Sequence, residues 1–431
     1  SAYFTTVLSV LFAPYMATVA GRAAGCEEVE GCTRTLGVLG LAVSPGSLPF
    51  YLTSFATITS AFVLPLVGAV VDRSPRKKLH MAGFAWSGAA SASLLFFLRD
   101  DAWQLAAIAV VVSSVLAACS LVSYSAILVD ISTVDERDDV SSRGWALGYL
   151  GGGTLLLVNL VMVQVQPFGL DQELAVRLSL LSAALWWAGF TLIPFLGLRN
   201  RAPLAREQIE GGLLSRSFGQ LWRTLRDLRN YPMTLTFLIA YLFFNDGIQT
   251  VIYAASTYGE KTLRFDTSVL IGTILLIQFV AFGGALLFGR IAARYGSYLP
   301  ILWGTFAWIG IVVLAFFLPE RNVALFALVA VGIGIVLGGT QALARSFFSL
   351  LIPHGRAGEY FALYNAAERG TSWLGTLTFG LVFQLSGSYR PALLALIAFF
   401  VLGAVFLLRL DPVRGIREAG NEVPAALLHR S

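Results

Sequence analysis

The sequence predicts an all-α polytopic membrane protein with twelve transmembrane helices. Of its 431 residues, 57% are hydrophobic and only 13% are charged, whereas soluble domains carry about a quarter charged residues. Several apolar runs exceed the roughly 20 residues that a helix needs to cross a bilayer. Most Lys and Arg fall outside these runs, in the loops, the central linker and the tail. The composition therefore favours a bundle of membrane-spanning helices over a soluble domain.

The apolar runs define twelve predicted spans, numbered here in chain order. They cover residues 1–20, 47–71, 79–98, 103–130, 143–166, 174–198, 231–257, 267–293, 298–318, 322–350, 358–386 and 388–409. The loop after the second span contains Arg73, Arg76 and Lys77, and short basic loops of membrane proteins face the cytoplasm. This assignment places both termini in the cytoplasm. We expect a multi-pass protein of the plasma membrane.

The spans group into two pseudo-symmetric six-helix halves, residues 1–198 and 231–410. Gly289 and Arg294 after span 8 repeat, in degenerate form, the spacing of Gly68 and Arg73 after span 2. Leucine and phenylalanine recur at helical spacing in the linker 199–230, which is rich in arginine and predicts an amphipathic helix on the inner leaflet. That helix is either a gating strut or a passive tether. The polar tail, 411–431, is expected to be loosely ordered.

The N-terminal part carries few further signals. The chain opens inside an apolar run without a charged n-region, so we expect no cleaved signal peptide and further residues before Ser1. Cys26 and Cys32 lie in the acidic loop after span 1, which is predicted to be extracytoplasmic. They form either a disulfide or two free thiols. The few Cys and His residues have no metal-ligand spacing, and we expect no metal and no cofactor.

The loop after span 2 carries a recognisable motif, Gly68-x-x-x-Asp72-Arg73-x-x-Arg76-Lys77. It resembles the signature loop of the major facilitator superfamily of transporters, with Pro75 where that family usually has glycine. The resemblance implies the major facilitator fold, with a substrate site between the two halves near the midplane of the membrane. Gly68 is expected to let a neighbouring helix approach closely.

The same resemblance implies a cytoplasmic gate. Asp130 ends span 4 and is expected to pair with the cluster of Arg73 and Arg76, while Arg345 ends span 10 on the same side. Charged contacts of this kind must break if the two halves rock apart. The predicted gate residues are Gly68, Asp72, Arg73, Arg76, Lys77, Asp130 and Arg345.

Three further segments resemble one branch of the superfamily, the vacuole-effluxer-like family. They are Ser142-Arg143-Gly144-Trp145-Ala146-Leu147-Gly148-Tyr149 at the entry of span 5, Gln341-Ala342-Leu343-Ala344-Arg345-Ser346 in span 10 and Glu359-Tyr360-Phe361-Ala362 in span 11. Fungal members of this family are linked to the release of amino acids from the vacuole during autophagy. The resemblance implies an effluxer of amino acids or similar small metabolites.

Asp246 is the first candidate for a transport residue because a charge inside the membrane is costly and is usually functional. It lies in the middle of span 7, with Asn245, Gln249 and Tyr253 adding polar groups nearby. Asp246 could carry a proton, bind a substrate amine, or be a structural hydrogen-bonding residue. Gly247 is expected to loosen the helix at this point.

Glu368 and Arg369 form a second candidate group in span 11, close to Asn365 and Tyr364. Together with Asp246 they could bind both ends of a zwitterion, with the carboxylate at Arg369 and the amine at Asp246 or Glu368. The alternative is a cytoplasmic-side lock. Glycines Gly334 and Gly338 in span 10 predict a face for close helix packing.

Other classes of function find less support. No nucleophile, base or metal constellation indicates an enzyme, and the net charge of +5 reflects loops that match an anionic inner leaflet rather than nucleic-acid binding. The short loops offer little surface for a receptor or scaffold. We expect a small-molecule substrate, contact with membrane lipids, a possible role for protons, and a monomer. A flippase for lipids or lipid-linked glycans on the same fold is the alternative function.

Overall fold

The computed structural model describes residues 11–26, 34–38, 40–43, 45, 48–99, 102–198, 226–370, 372–386 and 388–428. The side chains of Asp72, Arg73, Glu368 and Arg369 lie outside this description. The linker 199–225 does too, so its predicted amphipathic helix stays a prediction. The first six helices are α1 Ala13–Ala23, α2 Leu48–Arg73, α3 Lys77–Ser93, α4 Trp103–Ile131, α5 Arg137–Val165 and α6 Gln172–Gly197.

Ten helices follow the linker. They are α7 Pro232–Thr257, α8 Thr267–Tyr295, α9 Tyr298–Phe316, α10 Val323–Leu350, α11 Ala357–Gly370, α12 Ser372–Ser386, α13 Tyr389–Ala395, α14 Ile397–Leu408, α15 Pro412–Glu418 and α16 Ala425–Leu428. Span 12 is thus divided into α13 and α14, and span 11 is described as α11 and α12 on either side of residue 371, which lies outside the described residues. Among the described residues, nine helical segments are long and apolar enough to cross a membrane.

A short antiparallel hairpin precedes α2 and was not predicted. Strand β1, Leu36–Val38, pairs with β2, Leu41–Val43, and Leu36 lies opposite Val43. Gly40 has a φ of 83°, a conformation that favours glycine and suits a tight hairpin turn. Leu36 and Val43 are both buried in the same apolar cluster as Met16 and Leu180, so the hairpin packs into a helical core.

The described chain contains two compact units. Unit 1 comprises residues 1–67, 74–124 and 151–202, and unit 2 comprises 68–73, 125–150 and 203–431. In unit 1, α3 packs on α6: Trp86 Nε1 donates to the carbonyl of Ala188 over 3.1 Å, and a Cβ on Gly88 would overlap the ring of Trp187. The missing side chain at Gly88 therefore sets the distance between these helices.

Unit 2 contains α7–α16 together with the last turns of α2 and α4 and the first half of α5. The packing of α8 on α10 is closest around two glycines: Gly284 faces the backbone of Ile335, and Gly338 faces the backbone of Ala281. A Cβ on Gly334 would lie 2.8 Å from the Cβ of Val280 in α8. The close-packing face predicted from Gly334 and Gly338 is confirmed by these contacts.

The C-terminal segment is ordered, and the expected loose tail was wrong. Ile416 in α15 is completely buried, and the Asp411 side chain caps this helix by accepting the Arg414 amide. Asn421 Nδ2 donates to the carbonyls of Leu350 and Ile352 over 2.7 and 2.8 Å. The tail is ordered because its polar groups cap the end of α10 and its apolar ones are buried.

Candidate functional site

Asp246 lies in the middle of α7 and is only 1% exposed. Its Oδ2 accepts a 2.9 Å hydrogen bond from the backbone N–H of Gly375. Gly375 lies in the helical segment α12, Ser372–Ser386. The carboxylate is therefore hydrogen-bonded to the backbone of a neighbouring helical segment.

The other carboxylate oxygen has a different environment. Neither Asp246 Oδ1 nor Thr250 Oγ1 has a hydrogen-bond partner in the described part of the chain, although both are buried. A Cβ on Gly375 would overlap Thr250 Oγ1 and lie 3.1 Å from Asp246 Oδ1. Glycine at position 375 thus lets the backbone of α12 pack directly against these two buried oxygen atoms.

Sequence reasoning found Asp246 but missed Thr250 and Gly375. Thr250 had a usable signal, because a residue four positions after Asp246 lies on the same face of a helix. Gly375 had none, since its role depends on which atoms surround it in the fold. Gly247 does not loosen α7, which is continuous from Pro232 to Thr257. Its Cα instead makes room for the ring of Phe400, which a Cβ there would approach to 2.9 Å.

The polar neighbours of Asp246 are arranged in different ways. Asn245 is buried, and its Oδ1 accepts a 2.9 Å hydrogen bond from Gln341 Nε2, which joins α7 to α10. Gln249 is half-buried. Tyr253 is 56% exposed. The structure therefore groups Asn245 with a partner helix but leaves the Tyr253 side chain exposed.

The two candidate side chains of α11 that the structure describes are engaged elsewhere. Asn365 Nδ2 donates to the Phe361 carbonyl of its own helix over 2.7 Å. The Tyr364 ring stacks on Tyr241 with centroids 4.1 Å apart and on Phe348 at 4.9 Å. Glu368 and Arg369 lie in α11, but their side chains are outside the described ones. Their roles, and that of Tyr364, stay predictions.

A second polar cluster joins the start of α5 to the end of α10. Arg345 is only 5% exposed, and its Nε donates to Ser141 Oγ over 3.1 Å. Ser141 Oγ in turn donates to the carbonyl of Ala342 over 2.8 Å. The Arg345 guanidinium also lies 6.0 Å above the Trp145 ring.

The same cluster contains two charged residues of α5. Asp138 accepts a hydrogen bond from Ser346 Oγ, and Arg137 Nη1 donates to the Ser349 carbonyl over 3.2 Å. Of this gate cluster, formed by Arg137, Asp138, Ser141, Arg345, Ser346 and Ser349, the sequence predicted only Arg345. Arg137, Asp138 and Ser141 were missed because residues 131–142 were assigned to a loop.

The early start of α5 has a local cause. The amide and hydroxyl of Thr133 donate to Glu136 Oε2 over 3.0 and 2.7 Å, the side-chain-to-backbone pattern found before helix starts. These hydrogen bonds lower the pKa of Glu136. With this turn fixed, α5 begins at Arg137, so the predicted start at residue 143 was six residues late.

The remaining predicted gate residues are partly defined. A Cβ on Gly68 in α2 would lie 2.7 Å from the Ala362 Cβ of α11, so the expected close approach of a helix is present. Asp130 and Lys77 are half-buried, and Arg76 is exposed. The side chains of Asp72 and Arg73 are not described. The pairing of Asp130 with the arginine cluster stays a prediction.

The cysteines differ in state. Cys26 is disulfide-bonded, and Cys119 is buried and not part of a disulfide. Cys32 lies outside the described residues. The predicted pairing of Cys26 with Cys32 therefore stays a prediction.

Solved structures of major facilitator superfamily transporters have the same fold as this chain. The proton:xylose symporter XylE bound to 6-bromo-6-deoxy-D-glucose aligns with a TM-score of 0.69 and 12% identity, covering 95% of this chain and 92% of that one. FucP in the outward conformation aligns with a TM-score of 0.62 and 10% identity, covering 95% and 100%.

Sequence comparison assigns the family. The family described as "Vacuole effluxer Atg22 like" matches residues 1–420, and the chain belongs to it. The MFS-type transporter YxiO of Bacillus subtilis, described as uncharacterized, is 29% identical over 83% of either chain. Autophagy-related protein 22-1 of Phaeosphaeria nodorum is 26% identical over 92% of this chain and 81% of its own. The protein is thus an integral multi-pass transporter, not an enzyme.

Proposed function

We propose that the protein is a secondary transporter that exports amino acids or similar small metabolites by alternating access. The observation that carries this proposal is the buried Asp246, whose Oδ1 has no hydrogen-bond partner among the described residues. A buried carboxylate without a full set of partners is costly, and in membrane proteins such residues mark substrate or ion pathways. The family description as a vacuole effluxer supports the direction of transport.

The substrate would be a zwitterion held at both ends. Asp246 or Glu368 would accept the ammonium group, and Arg369 would bind the carboxylate with its planar, bidentate guanidinium. Asp246 would also carry the coupling cation when the substrate is absent, a proton in the simplest case.

The cellular setting is part of the same proposal. The basic loop after α2 supports a plasma-membrane protein with both termini in the cytoplasm, functioning as a monomer in contact with anionic lipids. The gate cluster would then close the cytoplasmic side, and its contacts would break when that side opens.

The test is uptake of a labelled amino-acid mixture into proteoliposomes, with and without an imposed proton gradient. The wild type is compared with Asp246→Asn. Asp266→Asn is the matched control, because Asp266 is an exposed carboxylate that precedes α8. We expect uptake by the wild type and by Asp266→Asn, and loss of uptake in Asp246→Asn.

Two results would contradict the proposal. Equal uptake by the wild type and Asp246→Asn would show that Asp246 is not part of the transport site. Absence of uptake of every amino acid by folded wild type would reject an amino-acid carrier, and scrambling of a fluorescent lipid by the same liposomes would then favour the flippase.

A further inference from the structure

Residues 421–428 follow α15 and contact the ends of α8 and α10 and the turn before α5; we call them the C-terminal strap. They come after residues 1–420, which match the family. The strap starts from a well-packed base. Ile416 of α15 is completely buried, and a Cβ on Gly415 would lie 2.8 Å from the Met233 Cβ of α7. The position from which the strap leaves is therefore fixed against α7.

Two contacts attach the strap to the ends of α8 and α10. Asn421 Nδ2 donates to the carbonyls of Leu350 and Ile352 over 2.7 and 2.8 Å, at the end of α10. Leu427 is only 8% exposed, and a Cβ on Gly296, the residue after α8, would overlap Leu427 Cδ2. Leu427 can pack there because Gly296 has no side chain.

A third contact attaches the strap to the turn before α5. The backbone N–H of Ala425 donates to Asp135 Oδ1 over 2.9 Å. Asp135 lies two positions before Arg137, the first residue of α5 and a member of the gate cluster. The strap thus connects the beginning of α5 with the ends of α8 and α10.

The same three helices are in direct contact next to the strap. Arg345 Nε of α10 donates to Ser141 Oγ of α5 over 3.1 Å. A Cβ on Gly289 of α8 would lie 2.7 Å from the Ser142 Cβ of α5. These contacts must break if α5 moves away from α8 and α10.

The strap opposes that movement through contacts of its own. If α5 moves away, either the hydrogen bond between Ala425 and Asp135 breaks or Asn421 and Leu427 leave their positions. Contacts that form in only one of two conformations raise the population of that conformation. The strap therefore favours the conformation in which α5 lies against α8 and α10.

We propose that the C-terminal strap is a regulatory restraint that holds the gate cluster closed, and that its release speeds transport. It acts from outside the helical segments that are long and apolar enough to cross a membrane, through one backbone amide, one amide side chain and one apolar side chain. Detaching it raises the population of the open form without any change in the gate cluster. Only the effect on transport rests on the proposed function; the restraint on α5 does not.

The test measures how fast a hydrophilic maleimide labels Ser142→Cys in the full-length protein, quantified by peptide mass spectrometry. Ser142 is 1% exposed, and its hydroxyl has no hydrogen-bond partner among the described residues. The cysteine therefore leaves the described hydrogen bonds of the gate cluster intact, and its thiol is reached when α5 leaves α8. Labelling is compared with and without a second substitution in the contacts of the strap.

Leu427→Ala should speed labelling by about tenfold, because it removes most of an apolar side chain from its contact with Gly296. Asp135→Ala removes the acceptor of the Ala425 amide and should speed labelling by about threefold or more. Asp135→Asn is its matched control, because the amide oxygen still accepts a hydrogen bond, and it should keep most of the slow labelling. Glu422→Ala changes an exposed residue of the strap and should label like the parent.

A second cysteine distinguishes opening of the gate from loosening of the whole unit. Thr305→Cys replaces a buried residue of α9 whose hydroxyl is bonded to its own helix, and its labelling should be the same with and without Leu427→Ala. An equal increase at positions 142 and 305 would overturn the proposal. Slow labelling at position 142 in both Leu427→Ala and Asp135→Ala, or an increase in Asp135→Asn as large as in Asp135→Ala, would also overturn it.

Uptake into proteoliposomes separates this proposal from the proposed function. We expect Leu427→Ala to take up amino acids faster than the wild type. Faster labelling with unchanged uptake would reject the effect of the strap on transport. Faster labelling with no uptake of any amino acid, even by the wild type, would keep the restraint and reject the proposed substrate class. Uptake by the wild type with unchanged labelling in the strap variants would reject the restraint and leave the proposed function standing.

Discussion

Because Gly338 has no side chain, α8 and α10 can approach each other closely. A Cβ on Gly338 would overlap the backbone oxygen of Ala281 and lie 2.9 Å from its carbonyl carbon and 3.0 Å from the backbone nitrogen of Ala285. Backbone atoms cannot rotate away as a flexible side chain can. Any substitution at Gly338 must therefore push the two helices apart.

We expect Gly338→Ala to lower the free energy of unfolding by about 1–3 kcal/mol, the usual cost of overpacking. The measurement is the thermal unfolding of the detergent-solubilised protein. Gly310→Ala is the control, because a Cβ at Gly310 in α9 meets nothing within 4 Å and alanine favours a helix over glycine. Equal unfolding temperatures for the two variants would show that α8 and α10 can separate at little cost.

At the scale of the element, the C-terminal segment acts as a cap on α10. Helix α10 ends at Leu350, and its last carbonyls lack intrahelical partners. Asn421 Nδ2 satisfies the carbonyls of Leu350 and Ile352. The Ala425 amide donates to Asp135 Oδ1 over 2.9 Å, which links the same segment to the turn before α5.

Asn421→Ala leaves these two carbonyls without their donor, and we expect it to lower the free energy of unfolding by about 1–3 kcal/mol. Limited proteolysis should also cut the C-terminal segment faster. Glu422→Ala, at the next position, is the control because Glu422 has no side-chain hydrogen bond to α10 among those described. Identical proteolysis of both variants would mean that Asn421 does not hold the segment.

Hydropathy predicted several helices well. The bounds of α4 and α6–α10 were predicted to within two residues, because apolar length is a property of one segment and the bilayer sets it. The division of span 12 into α13 and α14 was missed, because Leu396 at the break is an ordinary residue of an apolar run. The order of the tail was missed for another reason, since Asn421 finds its carbonyl partners some 70 positions earlier in the chain.

In the candidate site too, a residue with a local sequence signal was predictable, and contacts between residues far apart in the sequence were not. Asp246 was predictable because a charge inside an apolar run is rare. Its contact with Gly375 spans 129 positions, and no pattern in either segment indicates the other. The gate cluster likewise depends on contacts more than 200 positions apart, such as that between Ser141 and Arg345.

At the scale of the whole molecule, the gate cluster joins a helix of the first predicted half, α5, to one of the second, α10. The Ser141 hydroxyl is at the centre of the cluster, because it accepts a hydrogen bond from Arg345 Nε and donates one to the Ala342 carbonyl. Hydrogen bonds to charged groups contribute about 1.5–3 kcal/mol. If transport requires these helices to separate, the cluster sets the population of the separated form.

We therefore expect Ser141→Ala to raise that population by about tenfold. The readout is the rate at which a hydrophilic maleimide labels a cysteine at position 349, quantified by peptide mass spectrometry. Ser349 is only 2% exposed, and its backbone carbonyl accepts from Arg137, so Ser349→Cys keeps that contact. Labelling should become faster because the thiol is reached only when α5 leaves α10.

Ser132→Ala is the matched control, since the Ser132 hydroxyl is also buried but bonds to the Leu128 carbonyl of α4. It removes one hydroxyl from the same region without touching the contact between α5 and α10, so its labelling rate should equal that of the parent. An unchanged rate in Ser141→Ala, or an equal increase in both variants, would mean that position 349 is reached by local fraying and that the gate cluster does not control the separation of the helices.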